Sequence, residues 1–471
     1  PEPPVKGGEF NEFGFTTTAP VTLSVDYGDM AGMPANVYFE VYDTCPVEET
    51  ETAYAKIAGV EPLYAGYTDG QGRFEGTIEL PAYIRKAYVL TPAFYARTLL
   101  EATRSGDMLT ASAESGAPAN AAPASTRAKE YHSTAVERDG WKTWLGSYDT
   151  TYGSIGYEYD GDLKVKNYGA LLKAHASVFD TTKKCPKEYR SSRDLYLEKS
   201  AEVVITLLGS NTCWNSSMGY YYYKTGNKPK SLADANVVMI FPNTQDGRWS
   251  NSPWESRLYQ GVERGTAVQL IYYPEIADGS KAGATTVFPA DYRIGFVLAT
   301  NAWTNRLRAG DKKYRAATSD GLSVNNNGVA YQTPRTAVFR YTDKKSGINS
   351  VLFSFEDHTN DENFSDVVFT MTSNPVDAVT DIPSVDVNDG KKTANVLRGI
   401  YAFEDLWPSR GDYDMNDVMV RSDYEKVFNE KGVFEESFML KTFANFAGNA
   451  NGLAVTPVSY THLTLPTILL V

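Results

Sequence analysis

At 471 residues the chain exceeds what one hydrophobic core can serve, so it should divide into about three domains. Its apolar fraction of 42% is that of globular protein, and a net charge of −13 argues against a basic face for nucleic acid or anionic membrane. Three cysteines are too few for a disulfide framework: Cys185 and Cys213 fall in one expected domain and are free to pair, whereas Cys45 reads as a buried thiol.

In chain order, Pro1 follows no initiator methionine or signal peptide, and no apolar run is long enough to span a membrane. An export signal, with any lipid anchor, is therefore expected upstream, and that anchor would be the protein's one membrane contact. Residues 10–110 read as a small β-sandwich. Val21, Leu23, Val25 and Tyr27 alternate, as do Val37, Phe39 and Val41, with the two-residue period of half-buried strands. The Gly-rich run at 68–74 reads as a hairpin turn between two strands. It resembles the turn of carboxypeptidase-regulatory-like sandwich domains, and Asp69 within it reads as a turn residue rather than a metal ligand.

Residues 111–140 open with Ala, Ser, Pro and Gly, too little apolar bulk to order themselves, and are expected to form a linker. The central domain, 141–375, begins with a helix expected at 167–179, where Leu171, Leu172, His175, Val178 and Phe179 share a face. Strands follow at 202–208, 220–223, 237–241, 268–273, 294–300, 337–341, 351–355 and 367–370. Many short strands parted by Gly, Pro and Asn predict a sandwich or jelly roll. Tyr220 to Tyr223 should place two tyrosines on each face of their strand. The polar loop 243–254 carries Trp249 and Trp254. Two packed anchors are the favoured reading there, with a sugar- or protein-binding surface as the alternative.

A third β-domain, 376–457, opens on a turn at 388–390, and its closing strands are expected to be cut short. Residues 458–471 resemble translated library adapter and are set aside. Inside this domain, Asp412, Asp414 and Asn416 occupy every second position and Asp417 follows at once. So many oxygen-bearing side chains in six residues repel one another unless a cation or backbone N–H groups neutralise them, and hard cations favour such all-oxygen sets. Asp417 stands where an EF-hand requires Gly and a strand-like run follows, so the expected site is a Ca²⁺-binding turn feeding a strand. Glu404 and Asp405 are candidate further ligands. An earlier copy has the same order: Glu356 and Asp357 after Phe355, then Asp361, Asn363 and Asp366, then a β-branched run. With less charge, this second site should bind metal more weakly.

The run AFEDLWPSRGDYDMNDVMV at 402–420 resembles the signature of LruC-domain proteins, outer-surface lipoproteins of Gram-negative bacteria. The earlier copy and the segments 215–223 and 288–298 are similar to the β-domain that precedes that signature, so the likeness reaches to about residue 455. It implies an exported, outer-membrane or cell-surface protein, and carries no reaction with it. No G-x-S-x-G, H-E-x-x-H or phosphate-cradling loop occurs. Expected, then, is an all-β, multi-domain sandwich protein, non-enzymatic, stiffened by Ca²⁺ and engaged in adhesion, scaffolding or contact with a glycan or a host or cell-surface protein. The alternative is a polysaccharide hydrolase using Asp and Glu pairs of the central domain.

Overall fold

The protein is described by a computed structural model. It covers residues 18–28, 36–49, 54–113, 131–133, 139–141, 143–150, 152–166, 168–212, 214–245, 261–305, 314–343, 348–358, 361–384, 392–404, 415–429, 432–448 and 450–453. The chain is nearly all β, a multi-domain β-sandwich protein. It divides into two compact units, the second made of 61–65 and 389–471 and the first of the remainder.

The first unit opens with a seven-stranded sheet between Thr18 and Ser112. Alternation decides which face is inside: Val21, Leu23 and Val25 are buried, as are Leu100 and Ala102, and Leu109 and Ala111. The sheet folds over on itself. Phe39 of strand Tyr38–Tyr42 and Phe74 of the edge strand Arg73–Pro81 have four strands between them, yet their rings meet edge-on at 5.1 Å. The 68–74 turn is not a hairpin, because Tyr64–Tyr67 and Arg73–Pro81 lie at opposite edges of the sheet. Asp69 does act as the turn residue: its carboxylate accepts the N–H groups of Gln71 and Arg73 at 2.8 and 2.9 Å. Strand Met108–Ser112 runs into the stretch read as linker, and within that stretch Tyr131–Ser133 forms a strand that pairs with Trp303–Asn305. Residues 114–130 of that stretch lie outside the described residues.

Two sheets then face each other. One orders Thr143–Trp144, Val238–Phe241, Ser217–Lys224, Tyr292–Ala299, Leu195–Leu197 and Val379–Thr380; the other orders Ala267–Gln269, Ala201–Ser210, Val367–Asn374, Ile348–Phe355 and Thr336–Asp343. Phe296 of the first meets Phe353 and Phe369 of the second at 5.2 and 5.0 Å, which places the core between them. Both sheets are also covered on their outer faces, which is why their strands read as unbroken apolar runs. Tyr220 and Tyr222 point into the shared core, and Tyr221 and Tyr223 into a second core with Trp141 and Met239.

Helix Tyr168–Val178 covers the outside of the second sheet. His175, fully buried, stacks on Phe179, meets Phe94 in the turn between strands Lys86–Leu90 and Leu99–Ser105 of the N-terminal sheet at 4.6 Å, and bonds Ser354 at 3.0 Å. Burial pulls its imidazole down to about 3. The segment after the helix ties both parts of the first unit together: Thr181 N–H donates to Pro92 O, and Lys56 N–H to Thr182 O.

The second unit is an antiparallel sheet of three long strands, Lys392–Phe403, Val418–Asn429 and Gly432–Asn445. Met439 and Phe443 of the last strand, and Phe446 just after it, are more than half exposed.

Candidate metal centre

The earlier acidic copy closes one end of the hairpin formed by Ile348–Phe355 and Val367–Asn374. Phe355 and Val367 are the last register pair, so Glu356 leaves one strand where Asp366 enters the other. The loop between them is held tightly. Glu362 and Phe364 take left-handed backbone (φ 49° and 59°), which costs about 1 kcal/mol or more each and persists only where surroundings enforce it. The enforcing contacts are visible. Phe364 is fully buried with the guanidinium of Arg190 5.2 Å from its ring, and Asn363 Oδ1 accepts the Ser365 N–H at 2.7 Å.

Glu356, Asp357 and Asp366 are 1%, 4% and 3% exposed, and each offers an oxygen within 4.8 Å of the others'. Two oxygens on one Ca²⁺ stand at most about 4.6–5.2 Å apart, twice the metal–oxygen distance, so this spacing fits a shared ion. Asp361 lies near enough to Glu356 for their charges to act on each other. Arg335, itself 1% exposed, approaches Glu356 at 3.3 Å. Arg190 and Lys184 pair with Glu362 instead, at 3.3 and 3.4 Å. Among the described residues, four inner carboxylates thus face the guanidinium of Arg335, which Glu362 also approaches at 3.7 Å, and ionised they outnumber it.

Backbone donors offset part of this. Phe364 N–H donates to Glu356 Oε2 (3.1 Å), and Asp357 N–H to Asp366 Oδ2 (2.6 Å). Burial still dominates. It pushes the Asp357 carboxyl up to about 7 against the Thr212 hydrogen bond. It also lifts Glu356 and Asp366 well above the ordinary range, with Asp361 and Asp357 respectively adding repulsion. Such a group must take up protons or a cation. Ser365 Oγ, fully buried in the same loop, has no hydrogen-bond partner among the described residues.

A third strand completes the corner. A β-bulge at Leu207/Gly209 lets Ala201–Ser210 reach the site with Ser210 opposite Val367. Asn211 N–H then donates to Asp366 O (3.1 Å), and Thr212 Oγ1 to Asp357 Oδ2 (2.6 Å). Sequence reasoning missed Thr212 and Arg335, which lie far from the motif and belong to no pattern. Asn363, expected as a ligand, braces the loop: its Nδ2 donates to Thr181 O and Asp361 Oδ2.

The later copy repeats this corner. Phe403 and Val418 are the last register pair of their hairpin, followed by Glu404, 5% exposed, and preceded by Asp417. Asp417 O accepts the N–H of Phe446 and of Ala447, just past Asn445, which pairs with Val418. The third strand thus runs in the same sense in both corners, although it precedes the hairpin in one and follows it in the other. Asn416 is half-buried. Asp405, Asp412 and Asp414 lie outside the described residues, as do Trp249, Trp254 and Cys213; Cys185 is a free, buried thiol.

Fold and site together define a multi-domain β-sandwich protein with a buried acidic corner at the end of one hairpin. Residues 19–113 match a family described as Domain of unknown function (DUF8469), and residues 288–374 match one described as Domain of unknown function (DUF4114). The first match spans the folded-over N-terminal sheet, and the second contains Glu356, Asp357 and Asp366. No curated protein and no solved structure matches the chain.

Proposed function

We propose that this chain is a non-enzymatic, exported surface protein whose β-domains are stiffened by Ca²⁺ at acidic hairpin corners, and that it serves adhesion, scaffolding or glycan contact. The observation carrying this reading is the burial of Glu356, Asp357 and Asp366 together, with half-buried Asp361 beside them and Arg335 as the guanidinium that reaches them among the described residues. Leaving such charges unmatched costs several kcal/mol per ion, whereas an oxygen-only set is what a hard divalent cation takes. Thr212, the Glu356 backbone contacts and the braced loop hold the carboxylates in place beforehand, as a structural site requires. Glu404 and Asp417 would hold a second ion in the other unit, with Asp405, Asp412, Asp414 and Asn416 as its further ligands. The likeness of 402–420 to LruC-domain surface lipoproteins supports the location at the outer membrane or cell surface.

Scanning calorimetry of chelator-treated protein, with and without added Ca²⁺, tests the reading. The melting temperature should climb with the logarithm of free Ca²⁺ above the dissociation constant. Glu356→Gln should remove most of the rise that belongs to the first unit. A melting temperature indifferent to Ca²⁺ would reduce the corners to protonated turns.

A further inference from the structure

Away from the acidic corner, a pocket of about 420 Å³ opens beside strand Leu195–Leu197, a size suited to a small molecule. Neighbouring strands of one sheet build it. Arg293 pairs in register with Tyr223 on one side and Tyr196 on the other, and residues directly opposite in antiparallel strands share a face. Asp381 follows Val379–Thr380, which pairs with the same Leu195–Leu197 strand.

The pocket's charges are even in number and uneven in availability. Asp194, 6% exposed, accepts the hydroxyls of Tyr223 (2.6 Å), Thr318 (2.5 Å) and Ser319, so its oxygens are occupied. Arg193 and Asp381 satisfy each other at 2.9 Å. Arg293 is different. Its guanidinium lies over the Tyr196 ring at 5.1 Å and meets no carboxylate among the described residues. Among the described residues Lys228 donates only to the Asp320 backbone carbonyl, at 3.0 Å. Two cations that form no ion pair among the described residues therefore share a polar pocket with Asp320. A guanidinium fork held on an aromatic ring suits a ligand carboxylate, and a neighbouring acid accepts hydroxyl groups.

We propose that this pocket binds a carboxylated sugar, its carboxylate on Arg293 and Lys228 and its hydroxyls on Asp320. The proposal specifies the glycan-contact arm of the function above and needs no ion at the acidic corner.

Isothermal titration of the full chain with glucuronate, galacturonate and glucose tests it, in Ca²⁺ and again in chelator. One uronate at least should bind saturably, and glucose about tenfold or more weaker. Lys228→Gln, an exposed change expected to leave the fold intact, should weaken uronate binding about fivefold or more, and Arg293→Gln further still. A galacturonate trimer separates two sources of the ligand: tighter binding than the monomer points to a polysaccharide chain, equal binding to the free sugar acid. Absence of uronate binding overturns the proposal, as does glucose binding equally well or both variants binding like the parent. Binding that persists in chelator keeps the pocket even if the Ca²⁺ reading fails.

Discussion

Asp366→Asn should change the sign of its effect with the metal. The substitution keeps the shape of the side chain and its acceptance of the Asp357 N–H, and removes one charge from the corner. Without Ca²⁺, Asp366 is buried, and that burial, with the repulsion of Asp357, Glu356 and Asp361, holds its carboxyl well above the usual range. Two like charges about 4 Å apart repel by up to about 4 kcal/mol at a protein-like effective dielectric, and protonation relieves part of that. The neutral variant should therefore be more stable than the parent in chelator, by about 1–2 kcal/mol at pH 7. With Ca²⁺ at a thousandfold excess over its dissociation constant, the parent gains about 4 kcal/mol, of which a site lacking one carboxylate keeps only a fraction. The order then reverses, with the variant below the parent by about 1–2 kcal/mol, or several degrees of melting temperature in a domain this size. Urea unfolding of both proteins in both buffers measures it. A variant that is destabilised equally with and without Ca²⁺ would show that Asp366 acts only as a hydrogen-bond acceptor, and the charge argument would fail.

Three further outcomes follow from the same contacts. His175 is held neutral with its pKa near 3 while the unfolded chain binds a proton near 6.5, so the stability it contributes is present above pH 6.5 and lost as pH falls toward 3. Between pH 7 and pH 5 the parent should lose about 2 kcal/mol more than His175→Gln in denaturant titrations, and parallel losses would refute it. Phe296→Ala, removing the ring that meets both Phe353 and Phe369 edge-on, should cost about 3–5 kcal/mol by chemical unfolding. Asn363→Ala removes the bonds to Thr181 O and Ser365 N–H and should cost about 2–3 kcal/mol. It should also speed hydrogen exchange at Thr181 and Lys56, whose N–H groups join the N-terminal sheet to the central one.

The strands of the central sandwich were legible because burial on one or both faces writes either an alternation or an unbroken apolar run. The helix at Tyr168–Val178 was legible from its 3.6-residue stripe. Tyr220 to Tyr223 divide between two cores because successive strand residues point oppositely. Pairing was less legible. The 68–74 turn has hairpin chemistry, but which strands pair is fixed by how the sheet folds over, and a local pattern does not encode that. The candidate site divides the same way. Glu356, Asp357 and Asp366 could be read from the motif, since one short loop supplies them. Thr212 and Arg335 could not, because three-dimensional pairing of Ser210 with Val367 brings one and an ordinary Pro-Arg loop supplies the other. Asn363 looked like a ligand in a spacing argument, yet both ends of its amide bind the loop and its neighbour.

The most direct measurement is a crystal structure of the protein grown in Ca²⁺, with anomalous scattering recorded to locate the metal. The account predicts an anomalous peak among Glu356, Asp357 and Asp366, with carboxylate oxygens about 2.3–2.6 Å from it. Ordered carboxyl groups bonded to one another or to water, with no peak between them in saturating Ca²⁺, would contradict it.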